Sequence, residues 1–187
     1  MNLPLTQLVN RDGFGEWLNA NGLVGTGVEV GVFRGDYSRH LLKTWAGVHL
    51  VGVDPYIRYP ESVYKDGCNV EDMEEMRDAV IAEFGAEKRY RLVLKPSLEA
   101  VEQFANESLD FVYLDSNHSY ESGSADLAAW WPKVRVEGIM GGHDLYGRHD
   151  RYQEADIFRA VWEFCIMRGI RPPRIHATNC TSFWIVK

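Results

Sequence analysis

The chain has 187 residues, of which 45% are hydrophobic and 25% are charged, with a formal net charge of −7. This length suits one domain with a single hydrophobic core, and the acidic balance disfavours a nucleic-acid backbone as the main partner. No stretch has the length of a membrane helix, no signal-peptide pattern opens the chain, and the three cysteines are scattered, so we expect a cytoplasmic protein.

After a helical lead-in over residues 1–24, the chain presents a glycine-rich unit of strand, turn and helix. A short apolar strand covers residues 26–30, a loop covers residues 31–35, and a helix is expected from Asp36 or Ser38. Glycines allow a ligand to approach the backbone, and the free amides at the start of a helix attract a negative group. The unit therefore predicts a nucleotide cradle around which the remaining elements are arranged.

A second buried strand is predicted over residues 48–53, and it ends in Asp54-Pro55. An acid at the tip of the second strand, after a glycine loop on the first, is placed to accept hydrogen bonds from ribose hydroxyls. A turn aspartate before a proline is the simpler alternative. The glycine cradle favours the ribose interpretation.

Residues 55–88 form the least regular part of the sequence. An acidic helix is predicted over residues 70–84, preceded by an aromatic loop that contains Tyr56, Tyr59 and Tyr64. These tyrosines either line a substrate pocket or pack as a surface insert, and such an insert could also serve a contact between subunits.

The second half of the chain continues the alternation of strands and helices. Strands are predicted over residues 90–94, 109–114 and 138–142, and two β-like runs over residues 173–177 and 182–186 suggest a terminal hairpin. The predicted helices cover residues 98–104, with Ser97 as the cap, a segment around Leu127, Trp130 and Val134, and residues 153–168. Such alternation implies a parallel sheet covered by helices on both faces.

In such sheets, ligands bind at the carboxyl ends of the strands. Polar side chains stand at all five of the predicted parallel strand ends: Glu29, Asp54, Ser97, Asp115, His143 and Asp144. Chance explains such a set poorly, so we expect these side chains to line one binding rim.

The ordered motifs resemble those of the class I S-adenosylmethionine-dependent methyltransferases. The resemblance rests on VEVGVFRG, then VGVDPY, LDFVYLDSNHSY and GIMGGHDLY, and finally FWIVK, and it spans residues 10–187. It implies an α/β fold: a Rossmann-like three-layer αβα sandwich with a mostly parallel seven-stranded sheet and an antiparallel C-terminal strand, in one domain. Within the class, LDSNHSY and HDLY are most similar to small O-methyltransferases, some of them metal-assisted, that act on natural-product-like substrates.

The resemblance assigns the cofactor, S-adenosylmethionine, to residues along this rim. Glu29, Gly31 and Gly35 would surround its methionine part, Asp54 would hold the ribose hydroxyls, Ser97 and Leu98 would lie near the adenine, and Asp115 would complete the set.

The resemblance also implies a divalent metal site. Asp115 and Asp144 match the acids that bind the metal in catechol-type relatives, but the asparagine that follows the second acid there is Leu145 here. His143 or His118 would have to complete the site, and imidazole suits Zn²⁺, Fe²⁺ or Mn²⁺ better than Mg²⁺. Because His143 and Asp144 are adjacent in a strand end, we expect only Asp144 to face the pocket.

His118 stands three residues after Asp115, where catechol-type relatives carry a lysine that takes the proton of the substrate. Methyl transfer requires alignment of nucleophile, methyl and sulfur, and removal of a proton from the acceptor hydroxyl. Histidine titrates near neutral pH, so His118 suits the role of general base. A loop histidine that bonds the backbone is the alternative.

The sequence thus predicts a methyltransferase that acts on a small hydroxylated molecule, with Asp115, His118 and Asp144 at the reaction centre. A non-catalytic binding module with the same fold is an alternative. An NAD(P)-dependent oxidoreductase is disfavoured, because the loop GVFRG lacks the G-x-G-x-x-G spacing that brings a pyrophosphate against the helix.

Overall fold

The computed structural model describes residues 10–60, 72–145, 156–176 and 181–187. The strands in these ranges are β1 (Thr26–Val30), β2 (His49–Val53), β3 (Tyr90–Val93), β4 (Leu109–Leu114), β5 (Val134–Gly142), β6 (Arg174–His176) and β7 (Ser182–Val186). They form one sheet in the order β3-β2-β1-β4-β5-β7-β6. β1 to β5 pair in parallel, and β7 is antiparallel to both β5 and β6. The predicted mostly parallel sheet with an antiparallel C-terminal strand is confirmed.

The helices are α1 (Phe14–Ala20), α2 (Asp36–Thr44), α3 (Met73–Phe84), α4 (Ser97–Ala100), α5 (Tyr120–Trp130) and α6 (Asp156–Met167). Each lies where the sequence predicts a helix, although the predicted start of the last helix lies outside the described residues. None of the described helices is long and apolar enough to cross a bilayer.

Two local predictions for the second half are wrong. Val134 was expected on the face of a helix, but α5 ends at Trp130, a 3₁₀ turn covers Trp131–Lys133, and Val134 begins β5. Pro132 explains this ending, since proline cannot continue a helix. Ser97 was expected to cap the following helix, but Pro96 is the N-cap residue, and the Ser97 hydroxyl bonds other side chains.

The central strand β4 shows how the sheet separates two hydrophobic cores. All six residues of β4 are buried, as expected for a parallel strand that is covered on both faces. Val112 and Leu114 pack in the core that includes residues of α5 and α6. Phe111 and Tyr113, which point to the other face, pack with residues of α1 and α2. The result is a helical layer on each side of the sheet.

The ladder of backbone hydrogen bonds continues past the ends of the parallel strands. Gly31 donates to the Val53 carbonyl at 2.9 Å, and Asp115 donates to the Val30 carbonyl at 2.8 Å. Asp54 and His143 are held in the same way, by the carbonyls of the strands beside them. The first residue after each of these strands is therefore fixed in position, and all four lie at one edge of the sheet.

Candidate active site

A pocket with a volume of about 590 Å³ opens at this edge of the sheet. Its lining residues follow β1, β2, β4 and β5 and also come from α4 and α5. The volume lies within the range of about 300–1,000 Å³ that is typical of small-molecule sites. The pocket therefore has room for a nucleotide-sized ligand.

The glycine loop forms the floor of the pocket at Gly31. Gly31 has a φ of +91°, and a Cβ at this position would lie 2.0 Å from the backbone oxygen of Asp115. Only glycine fits both the torsion and the contact, because a backbone atom cannot rotate away. Gly35 has a different structural role. Its φ is +74°, and a Cβ there would lie 2.7 Å from the ring of Phe84, so this glycine serves packing beside the start of α2.

Glu29 is a buried acid in the pocket wall. Its side chain is 1% exposed, and Ser38 Oγ donates a hydrogen bond to its carboxyl group. The pKa of Glu29 is raised to about 8, mainly by burial and further by the charges of Asp115 and Asp54. The Ser38 hydrogen bond and the Arg11 guanidinium oppose this shift of the pKa. The carboxyl group of Glu29 is therefore protonated at neutral pH.

Asp54 is tied to the glycine loop rather than left open to the pocket. Its Oδ2 accepts hydrogen bonds from the backbone amides of Val32 and Phe33 at 3.0 and 2.9 Å. Its Oδ1 accepts from the Tyr56 amide at 2.8 Å, which is the turn that the aspartate–proline pair allows. Burial raises the pKa of Asp54, while these three backbone hydrogen bonds lower it. A carboxylate offers about four lone-pair positions, so one position remains for a further donor.

The two described tyrosines of the aromatic loop have different environments. Tyr56 is 3% exposed, and its hydroxyl donates to the Phe33 carbonyl at 2.9 Å. Tyr56 therefore stabilises the glycine loop through this hydrogen bond, whereas Tyr59 lines the pocket. Tyr64 lies outside the described residues.

Ser97 and Leu98 both line the pocket next to β3. Leu98 is 51% exposed, so it offers an apolar surface to a ligand. Ser97 Oγ donates to Asp126 Oδ1 at 2.5 Å and accepts from the indole nitrogen of Trp130 at 2.8 Å. Asp126, which sequence reasoning missed, also accepts from Ser116 Oγ at 2.9 Å.

The far end of the pocket holds two acids and two imidazoles. His118 Nε2 lies 3.6 Å from Asp115 Oδ1 and 3.8 Å from Asp144 Oδ2. His143 Nδ1 lies 3.8 Å from Asp115 Oδ1 and 3.3 Å from Asp144 Oδ1. One ligand atom each from Asp115, His118 and Asp144 lie within 4.8 Å of one another. The geometry permits these three groups to hold one cation.

The expectation that only Asp144 faces the pocket is wrong, because His143 lines it as well. β5 ends at Gly142, and Asp144 adopts a φ of +50°, so the extended alternation of side chains does not apply. Leu145, which stands where catechol-type relatives have asparagine, is fully buried. It therefore offers no side-chain oxygen to the cluster, in which the His118 imidazole is the third group within 4.8 Å of the others.

Arg11 is a pocket residue that sequence reasoning missed. It precedes α1, yet its guanidinium carbon lies 4.2 Å from the centre of the Tyr37 ring, and its Nη1 lies 3.6 Å from Asp115 Oδ2. Its neighbours on the pocket side are 26 and 104 residues away along the chain. No sequence pattern around Arg11 indicates that its side chain contacts Tyr37 and Asp115, because these contacts are distant along the chain.

A family model described as a methyltransferase domain matches residues 28–145. The match runs from the glycine cradle to the end of the acidic cluster, so it includes most of the pocket. No curated protein sequence matches the chain significantly.

Solved structures share the fold at low sequence identity. A protein from Corynebacterium glutamicum has a TM-score of 0.63 and 18% identity, and the match covers 95% of this chain and 78% of that protein. A Staphylococcus aureus protein described as a candidate caffeoyl-CoA O-methyltransferase has a TM-score of 0.63 and 13% identity, with 95% and 82% covered. Spermidine synthase from Thermotoga maritima has a TM-score of 0.58 and 15% identity, with 88% of this chain but 53% of the synthase covered. The last two neighbours are described with different activities and all three are below 25% identity, so the likeness establishes the fold alone.

Proposed function

The chain belongs to the methyltransferase family whose model matches residues 28–145, and we propose that it methylates a hydroxyl of a small molecule with S-adenosylmethionine. One observation carries the proposal: a single pocket joins the glycine cradle to the cluster of Asp115, His118 and Asp144. A donor and an acceptor bound at the two ends would meet inside it. Family membership also decides against the oxidoreductase alternative.

The order of the strands supports the placement of the cofactor. Ser97 and Leu98 follow β3 and would contact the adenine, and Asp54 follows β2 and would accept from a ribose hydroxyl. Glu29 and Gly31 belong to the end of β1 and would lie along the methionine part. The sulfonium would then point towards β4, where Asp115 begins the acidic cluster.

The reaction at that point is a displacement at carbon. The acceptor oxygen forms a bond to the methyl carbon, the bond between this carbon and sulfur breaks, and S-adenosylhomocysteine leaves as the neutral thioether. The hydroxyl proton must go to a base, and His118 is our candidate for it. Alignment of the two reactants supplies much of the rate enhancement, and a positioned base adds about 10²–10⁴-fold.

The same cluster fits a divalent metal. Asp115, His118 and Asp144 would hold it, and a bound cation would lower the pKa of an acceptor hydroxyl by acting as a Lewis acid. Two carboxylates and an imidazole suit Mn²⁺, Fe²⁺ or Zn²⁺ better than Mg²⁺, which prefers oxygen ligands. The His118 imidazole cannot bind a metal and accept a proton at the same nitrogen, so these two roles are separable.

The first experiment is calorimetric titration of the metal-stripped protein with S-adenosylhomocysteine, repeated with Mg²⁺, Mn²⁺ and Zn²⁺. We expect micromolar affinity, which corresponds to about −8 kcal/mol. Methyl transfer to a panel of catechols and other phenols follows with the wild type. An absence of S-adenosylhomocysteine binding under every condition would remove the proposed function. Binding without turnover on any acceptor would favour the non-catalytic module.

His118→Gln separates the two roles of the imidazole. We expect the variant to bind S-adenosylhomocysteine normally and to lose turnover by about 10²–10⁴-fold. If His118 is a metal ligand, the affinity for Mn²⁺ falls with the turnover, whereas a general base leaves the affinity for Mn²⁺ unchanged. His49→Gln is the matched control, since His49 is exposed at the start of β2, at the opposite edge of the sheet. Equal turnover in the wild type and His118→Gln would contradict both roles.

A further inference from the structure

Arg11 is held in a fixed position at the wall of the pocket. Its backbone oxygen accepts hydrogen bonds from the Tyr37 hydroxyl and from the Phe14 amide, both at 3.2 Å. Its guanidinium lies over the Tyr37 ring and is 5.7 Å from the centre of the Tyr113 ring. The side chain is only 23% exposed. Stacking and backbone hydrogen bonds therefore position this cation before any ligand binds.

Charge makes Arg11 unusual among the described residues of the pocket lining. That lining contains many acids, but Arg11 and Arg34 are the lining residues whose side chains are always positively charged. Arg34 is exposed, whereas Arg11 lies beside Asp115. The 3.6 Å separation from Asp115 Oδ2 is that of an ion pair, longer than an N–H···O hydrogen bond. A guanidinium has five N–H donors, so this contact leaves capacity for a second carboxylate.

The order of the strands gives the cofactor a direction, and this step rests on the proposed function. The adenine end belongs beside β3 and the ribose beside β2, so the amino-acid end reaches the boundary of β1 and β4. Arg11 stands at that boundary, between Tyr37 of α2 and Asp115. Of the charged groups on S-adenosylmethionine, the sulfonium and the ammonium suit the acids of the pocket, and only the α-carboxylate suits a guanidinium.

We propose that Arg11 binds the α-carboxylate of S-adenosylmethionine and thereby selects the intact cofactor over its decarboxylated form. The planar guanidinium offers two parallel N–H donors, which match the two oxygens of a carboxylate. Asp115 then makes two contacts. Its Oδ2 pairs with the Arg11 guanidinium, and its Oδ1 lies beside His118 in the cluster of Asp115, His118 and Asp144.

The test compares two ligands that differ in the carboxylate alone. Calorimetry measures the affinities of the wild type and Arg11→Met for S-adenosylmethionine and for decarboxylated S-adenosylmethionine. We expect the wild type to prefer the intact cofactor by about 10- to 100-fold, the range of a hydrogen-bonded charge pair. In Arg11→Met the preference should fall close to one, because the intact cofactor is weakened and the decarboxylated ligand is not. Arg91→Met is the matched control and should keep the preference of the wild type, because Arg91 is exposed on β3 and is not among the residues that line the pocket.

The outcomes separate this assignment from the proposed function. An absence of S-adenosylmethionine binding in the wild type would remove the proposed function and the assignment with it. Normal binding of the intact cofactor, with no preference over the decarboxylated ligand, would overturn the assignment alone. The comparison of the two ligands on the wild type needs no variant, so it tests the assignment even if Arg11→Met fails to fold. A preference that survives in a folded Arg11→Met protein would also overturn it.

Discussion

Glu29 provides a quantitative test of the electrostatics of the site. Its side chain is 1% exposed, and burial is the largest reason why its pKa is raised from 4.5 to about 8. Replacement with glutamine keeps the shape of the side chain and can keep the Ser38 hydrogen bond, but it removes the ionisable group. Glu29→Gln therefore isolates the consequence of that proton.

The sign of the effect follows from proton binding. At pH values between 4.5 and 8, the carboxyl group ionises in the unfolded chain but keeps its proton in the folded protein. The folded state thus binds more protons, and the free energy of unfolding falls as pH rises through this window. At about 1.4 kcal/mol for each pH unit, the limit of this loss is about 5 kcal/mol. The variant lacks this contribution at every pH.

The assay is urea denaturation of the wild type and Glu29→Gln, without ligand, at intervals from about pH 5 to pH 8.5. We expect the variant to be close to the wild type at the acidic end, with a cost of about 1 kcal/mol for an imperfect hydrogen bond. Towards pH 8 the variant should become the more stable protein, by up to several kcal/mol. Glu102→Gln, at an exposed position in the turn after α4, is the control and should follow the wild type at all pH values.

The decisive quantity is the difference in the free energy of unfolding between the wild type and Glu29→Gln as a function of pH. Profiles of the wild type and Glu29→Gln that stay parallel across the whole range would contradict the raised pKa of Glu29. They would mean that Glu29 is already ionised in the folded protein at neutral pH, and that burial does not control its pKa.

Three further substitutions test the local structure. Gly31→Ala should cost about 3 kcal/mol or more in urea denaturation, because its Cβ would lie 2.0 Å from the Asp115 backbone oxygen; a stability like that of the wild type would contradict the loop geometry. Trp130→Phe removes the 2.8 Å hydrogen bond to Ser97 and should lower the stability by about 2 kcal/mol; an unchanged melting profile would count against this bond. Asp110→Asn, at the other edge of the sheet, should cost about 1–3 kcal/mol because its carboxylate accepts from Arg135 Nε at 2.5 Å. The affinity for S-adenosylhomocysteine should not change in Asp110→Asn, and weaker binding would mean that this acid acts on the pocket.

The elements of this protein could be predicted from the sequence because they depend on local patterns. Short, mostly apolar runs marked the parallel strands, which are four to nine residues long. The glycines at positions 31 and 35, which both have positive φ, marked the turn. The polar residues after the strands were also predictable. In a parallel sheet, the residue that follows each strand lies at the same edge, whatever the helices between them do.

Long-range packing determines which contacts these polar residues make. Ser97 appeared to be a helix cap, but its partner Asp126 lies 29 residues away, beyond the reach of a local pattern. Asp144 leaves the extended conformation, so His143 joins it in the pocket. Arg11 enters the site through stacking on Tyr37, a contact between the segment that precedes α1 and helix α2. Such contacts depend on how helices pack across the sheet, and periodicity in a sequence records which face is buried but not which side chain it meets.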